Sequence, residues 1–182
     1  VVGTDGQTMA AGDAEHPFAV MSVSKPFVFA LVCEVLGADK LREQIGVNAT
    51  GLAFNSLEGV ERGGGRTNPM VNSGAIATTS LVPGENLEAK WKFIHAGLSR
   101  FAGRTLAMNE EVLQSARETN YRNQSIARLL QSFGRIYLDP ADAVDLYTRQ
   151  CSLNVTAKDL AVMGATLADG GVNPVTKRRV VS

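Results

Sequence analysis

Ser22 and Lys25, three residues apart in the stretch FAVMSVSKPFVFALVCEVLG (18 to 37), are the pair in this sequence best suited to do chemistry together. An alcohol is a poor nucleophile until a neighbouring base takes its proton. A lysine can be that base when desolvation lowers its pKa enough to populate the neutral amine. On a helix, residues three apart share a face about one turn from each other, so a serine at the N-terminus and a lysine in the first turn can touch. The free N–H groups of that terminus, the serine's own among them, would face the oxyanion that develops when the serine attacks a carbonyl. A Ser-x-x-Lys pair also arises about 0.7 times by chance in a chain of this size at average residue usage. The bland alternative is an N-cap serine followed by a solvated lysine, although a lysine in the first turn opposes the helix dipole. Alone, the pair decides nothing.

The elements that must position this pair are mostly helical. The spacing predicts a buried helix over 24–36, with Pro26 tolerated in its first turn and Gly37 as its C-terminal cap. Leu87, Trp91, Ile94, Leu98 and Phe101 recur at steps of four and three, marking an amphipathic helix that ends near Gly103. Asn109 can cap a short helix with Glu110 and Glu111 in its first turn, and 123–133 reads as another helix stopped by Gly134. Asp139-Pro140 opens a helix through about Cys151, and Thr156 with Asp159 resembles a capping box before Leu160, Met163 and Leu167. About six helices and little sheet are expected. The opening VVGTDGQTMAAGD reads as a hairpin turning at Asp5-Gly6, and GGVNPVTKRRVVS turns twice before another strand. A chain that opens and closes inside strands is expected to be a piece of a larger domain. The reading is one domain over 1–182, incomplete at both ends, with sheet elements near 1–22 and 171–182 and a mostly helical 23–170.

Composition excludes several function classes. The 182 residues are 45% hydrophobic, enough for a core, and carry 18 basic against 18 acidic side chains. Neither sign forms a long run, so neither nucleic acid nor a membrane surface is expected as a partner; small neutral or zwitterionic ligands suit the chain better. The longest apolar stretch, 26–35 with one glutamate, is too short to span a bilayer, and no signal-peptide pattern opens the sequence, so the cytoplasm is the expected location. Cys33 and Cys151 lie far apart in apolar surroundings and read as reduced, buried thiols. His16 and His95 are isolated, so neither a metal site nor a cofactor is expected. The ERGGGRTNP stretch (61–69) is a loop without the strand-to-helix context of a phosphate-binding fingerprint.

The pair gains weight from its company. FAVMSVSKPF, GLAFNS (51–56), NPMVNSGAIATTSLV (68–82), YRNQSIARLL (121–130), LYTRQCSLNVTAKDLAVM (146–163) and LADGGVNPVT (167–176) resemble, in order and spacing over nearly the whole chain, the serine-dependent glutaminases. The resemblance implies an α/β (α+β) fold shared with serine β-lactamases and penicillin-binding proteins, a sheet flanked by helices with a helical subdomain over the site. It implies that Ser22 attacks the side-chain amide of L-glutamine, that Lys25 is its base, and that Tyr147 lines the site and relays a proton or binds substrate. It also implies that Asn72 and Asn123 hold the amino-acid end of glutamine, and that the protein forms a homodimer or homotetramer. Read without the resemblance, Tyr147 is a core aromatic on an amphipathic helix. Asn72 is then a helix N-cap and Asn123 a second N-cap or turn residue. Asn68-Pro69 sets a turn at the entry to its segment.

The sequence departs from the family pattern at three places. Where the family carries an acid that pairs with the substrate ammonium, Ala116 stands here; Glu118 lies two residues on, and Asn120-Tyr121 replaces a Gly-Asp pair. Loss of a charge-assisted bond of that kind costs roughly 1.5 to 3 kcal/mol of binding. Family members also have a tyrosine-bearing segment before the first strand, and beyond position 182 a further tyrosine, a Lys-Ser-Gly strand and a second oxyanion donor. Two function classes therefore stand: a glutaminase, or a non-hydrolysing relative that binds or scaffolds. A β-lactamase-like hydrolase of another small amide or ester lies between them.

Overall fold

In the computed structural model, which describes residues 1–182, the chain runs through β1 (Phe18–Ala19), a 3-10 turn (Met21–Ser24), α1 (Lys25–Leu36), α2 (Ala38–Ile45), α3 (Leu57–Arg62) and α4 (Asn72–Ser80). It continues through α5 (Leu87–Ala102), β2 (Ala107–Met108), α6 (Glu110–Thr119), α7 (Tyr121–Ser132), α8 (Pro140–Cys151), β3 (Leu153–Val155) and α9 (Ala157–Ala168). The molecule is mostly helical, with a small antiparallel sheet in the order β1-β3-β2. Phe18 pairs with Val155 and Met108 with Leu153, so β3 is central.

Nine α-helices form where about six were expected. The additional ones are α2, α3 and α4; α2 and α3 are short, and each of these two is set by local signals. Ser56 caps α3 by accepting the Gly59 N–H at 3.2 Å, and α2 is bounded by Gly37 and Gly46, both with positive φ. The expected caps at Asn109, Asp139 and Thr156 all form, the last as a full capping box with Asp159. The opening hairpin reduces to a single bridge between Val2 and Thr8, and the closing segment to one between Val172 and Arg179.

Helix α4 is buried along its entire length, and α1, α7 and α8 all pack against it. Its composition of Gly, Ala, Ser and Thr permits that crowding. A Cβ at Gly74 would run into the Asn68 carbonyl. The buried Thr78 and Thr79 hydroxyls bond back to the carbonyls of Gly74 (2.7 Å) and Ala75 (2.9 Å), so no hydroxyl is stranded inside. Around it, Val28, Leu31, Ile76, Leu98, Phe101, Ile126, Leu130 and Leu146 belong to one continuous apolar core. No single helix is long and apolar enough to cross a membrane.

Candidate active site

Ser22 lies in the 3-10 turn rather than at the N-terminus of α1 itself, one turn ahead of Lys25, which begins the helix. Two connections fix that turn. The Val20 N–H donates to the Leu153 carbonyl at 2.8 Å, extending the β1–β3 pairing up to the serine. The Lys25 N–H donates to the Ser22 carbonyl, which joins the turn to α1. Met21, immediately before the serine, has φ 51°, a left-handed conformation unusual for a residue with a side chain.

The serine is exposed and the lysine below it is 5% exposed. Lys25 Nζ donates to the Met70 carbonyl at 3.1 Å and to Asn72 Oδ1 at 2.8 Å. Burial lowers its pKa below the ordinary 10.5, opposed by the nearby Cys151. A neutral amine has two N–H groups and one lone pair; these two acceptors engage both N–H groups and leave the lone pair free to take a proton. The centroid of the Phe54 ring lies 5.8 Å from Nζ.

The NPMVN segment builds those two acceptors. Asn68 Oδ1 accepts the Met70 N–H at 2.9 Å, the local turn expected of Asn-Pro, and Asn68 Nδ2 donates to the Asn48 carbonyl at 3.1 Å. The turn delivers the Met70 carbonyl and, one step into α4, the Asn72 amide. Asn72 is therefore not an N-cap: Val71 holds that position, and the Asn72 N–H is satisfied by the Phe54 carbonyl at 2.8 Å. Its side chain is committed inward.

From Asn72 a hydrogen-bond chain runs through α7 to α8 with every donor pointing the same way. Asn72 Nδ2 donates to Asn123 Oδ1 (2.9 Å), Asn123 Nδ2 to Asn120 Oδ1 (2.7 Å), and Asn120 Nδ2 to Thr148 Oγ1 (2.6 Å). Thr148 ends it on the Val144 carbonyl at 2.7 Å. Asn123 lies within the first turn of α7 and is not its N-cap; Asn120 takes that place. Tyr147, on α8 and 3% exposed, donates its hydroxyl to Asn72 Oδ1 at 3.4 Å. Burial pushes its phenol far above the ordinary 10, with Cys151 adding to the shift and the neighbouring Ser22 hydroxyl opposing it, so it stays a neutral donor. Ser22, Lys25, Asn72, Asn123 and Tyr147 thus meet in one place, although they come from five elements.

Four members of this neighbourhood were not singled out as site residues from the sequence: the Met70 carbonyl, Asn120, Gln150 and Cys151. A main-chain acceptor leaves no mark on residue type. Asn120 and Asn123, three apart at the start of a helix, did carry a signal. Cys151 is half-buried as a residue, not fully buried as expected, and so is Cys33; both are unpaired. Burial raises the Cys151 thiol pKa, against the pull of Ser24, Tyr147 and Lys25, so the sulfur stays protonated. Ala116 is half-buried on α6, between Ser115 and Arg117, and Arg117 pairs with Asp145 of α8 at 2.7 Å. Glu118 is exposed and takes the Gln114 amide of its own helix at 3.4 Å.

Known proteins share this fold. The family model described as Glutaminase matches residues 1–182. The chain is 66% identical over 182 residues to Glutaminase 2 of Yersinia pestis, covering all of this chain and 54% of that protein. It is 54% identical over 183 positions to a Brucella suis glutaminase, covering all of this chain and 58% of the relative. Among solved structures, the probable glutaminase ybaS superposes with a TM-score of 0.96 at 46% identity, over 98% of this chain and 58% of that one. A Bacillus glutaminase solved in 4.3 M NaCl gives 0.93 at 30% identity, over 99% and 61%. The chain spans somewhat more than half the length of the curated relatives it matches. With the match running from the first residue to the last and the fold superposing throughout, the chain belongs to the glutaminase family.

Proposed function

We propose that this chain carries the nucleophile and base of a glutaminase, which hydrolyses L-glutamine to L-glutamate and ammonia through a glutamyl-serine ester. One observation carries the reading: an exposed Ser22 stands one turn from a buried Lys25 whose two N–H groups are engaged by Met70 and Asn72. Ser22 Oγ attacks the amide carbon as its proton passes to the Lys25 amine. The oxyanion forms against the N–H of Ser22 itself, in the 3-10 turn. Lys25, with the neutral Tyr147 hydroxyl as relay, returns the proton to the departing nitrogen and ammonia leaves. Water then attacks the ester with the same base, releasing glutamate and restoring Ser22. Asn72 and Asn123, with donor and acceptor on each amide, hold the zwitterionic end of the substrate. The reading carries with it a cytoplasmic location, in keeping with two unpaired cysteines, and assembly as a homodimer or homotetramer, implied by the family.

Ala116 favours a second reading. Without an acid for the substrate ammonium, the same Ser22 and Lys25 would serve a small amide or ester other than glutamine, or the chain would bind without hydrolysing. Ammonia release from L-glutamine by the full chain, with Ser22→Ala and Ala116→Glu alongside, separates these. Activity in the parent, its loss in Ser22→Ala, and a lower KM in Ala116→Glu are expected. Silence on glutamine in both the parent and Ala116→Glu, with turnover in a panel of other amides and esters, would replace the substrate.

A further inference from the structure

Ser24, two residues past the nucleophile, has no part in the chemistry above, yet it is fully buried and fully hydrogen-bonded. Its hydroxyl donates to the Met21 carbonyl at 2.8 Å. That commits its only proton, so its other neighbours meet it as an acceptor: Gln150 Nε2 donates to it at 3.2 Å, and Cys151 Sγ lies 3.8 Å away. Gln150, 1% exposed, presents its Oε1 to the hydroxyl of Thr79 at 3.0 Å, where it shares that proton with the Ala75 carbonyl. Thr79 and Gln150 sit on α4 and α8, the helices that also carry Asn72 and Tyr147.

The far end of this buried chain is Met21, immediately before Ser22 and held in a left-handed conformation at φ 51°. Its side chain is 52% exposed, so packing of that side chain is not what holds the backbone there. We propose that Gln150 is a positioning residue for Ser22: through Ser24 it clamps the Met21 carbonyl and keeps the left-handed turn that presents the nucleophile. The inference rests on the reading of Ser22 as the nucleophile.

Glycine reaches the left-handed region freely, so a clamp needed to hold residue 21 there is dispensable once Met21 is replaced by glycine. The experiment compares Gln150→Met, which keeps volume but neither donates nor accepts at the clamp, in the parent and in the Met21→Gly background. Two rates are read: kcat and KM for glutamine, and the rate at which a fluorophosphonate probe labels Ser22, followed by peptide mass spectrometry. In the parent background, kcat and the labelling rate should each fall at least roughly tenfold with KM little changed. In the Met21→Gly background the same substitution should have almost no effect. Ser24→Ala should behave as Gln150→Met does, and it supplies the test if Gln150→Met fails to fold. An equal loss in both backgrounds, a loss carried by KM, or no loss would overturn the clamp. If the parent labels but releases no ammonia, the glutaminase reading fails and the clamp is judged on labelling alone. A parent whose Ser22 does not label overturns the clamp as well.

Discussion

Lys25 is a lysine in surroundings that disfavour its charge, and its two hydrogen-bond acceptors are uncharged. Its folded pKa lies below the unfolded value, so the native state binds fewer protons there, and this group makes stability rise with pH up to about 10.5. Activity should follow the neutral amine. A profile of kcat/KM against pH is expected to rise along a limb with its midpoint below 10.5, and Lys25→Arg, which cannot deprotonate, should abolish both the limb and the activity. Tyr147 separates packing from chemistry. Tyr147→Phe keeps the buried ring but removes the hydroxyl on Asn72 and beside Ser22, so kcat should fall about 10²-fold while thermal unfolding moves little. At this scale much was legible, because serine, lysine, tyrosine and asparagine declare their chemistry by type. What residue type could not reveal was direction: that Asn72 and Asn123 turn inward rather than capping helices, and that a main-chain carbonyl at Met70 completes the lysine's shell.

Helices announced themselves where periodicity and end signals agreed, as in α5 with its Leu87-to-Phe101 stripe and Gly103 or α9 with its Thr156–Asp159 box. They were silent where burial surrounds the element. Helix α4 has no polar face and hence no period to read, and strands of two or three residues are too short to alternate. Two elements invite direct tests. In α4, Gly74→Ala forces a Cβ against the Asn68 carbonyl and should destabilise by about 1 to 3 kcal/mol, read by thermal unfolding, with the Lys25 acceptors disturbed alongside. In α9, burial pushes the Asp159 carboxyl up, but Arg104 at 2.5 Å and the Thr156 donors outweigh it and hold the carboxyl below its ordinary 3.8. A depressed carboxylate contributes stability above its unfolded pKa and loses it as pH falls through the folded one. The parent should therefore lose stability below about pH 3.8 more steeply than Asp159→Asn, measured by denaturation midpoints across acid pH.

Across the molecule, 29 buried apolar residues from Val20 to Val181 form one cluster, and the site lies at its edge rather than between separable lobes. Thermal unfolding should be a single transition, with near- and far-ultraviolet circular dichroism falling together; separate midpoints would show that the site-bearing helices melt on their own. The tie from Val20 to Leu153 has a bearing on motion. Strand β1 leads into the turn that carries Ser22, and β3 follows directly on α8, the helix that carries Tyr147, so a single ladder joins that turn to the C-terminal end of the helix. A substitution that loosens this ladder is therefore expected to let the Ser22 turn and the Tyr147 helix drift apart, widening the spread of distances over which Lys25 and Tyr147 must hand on a proton.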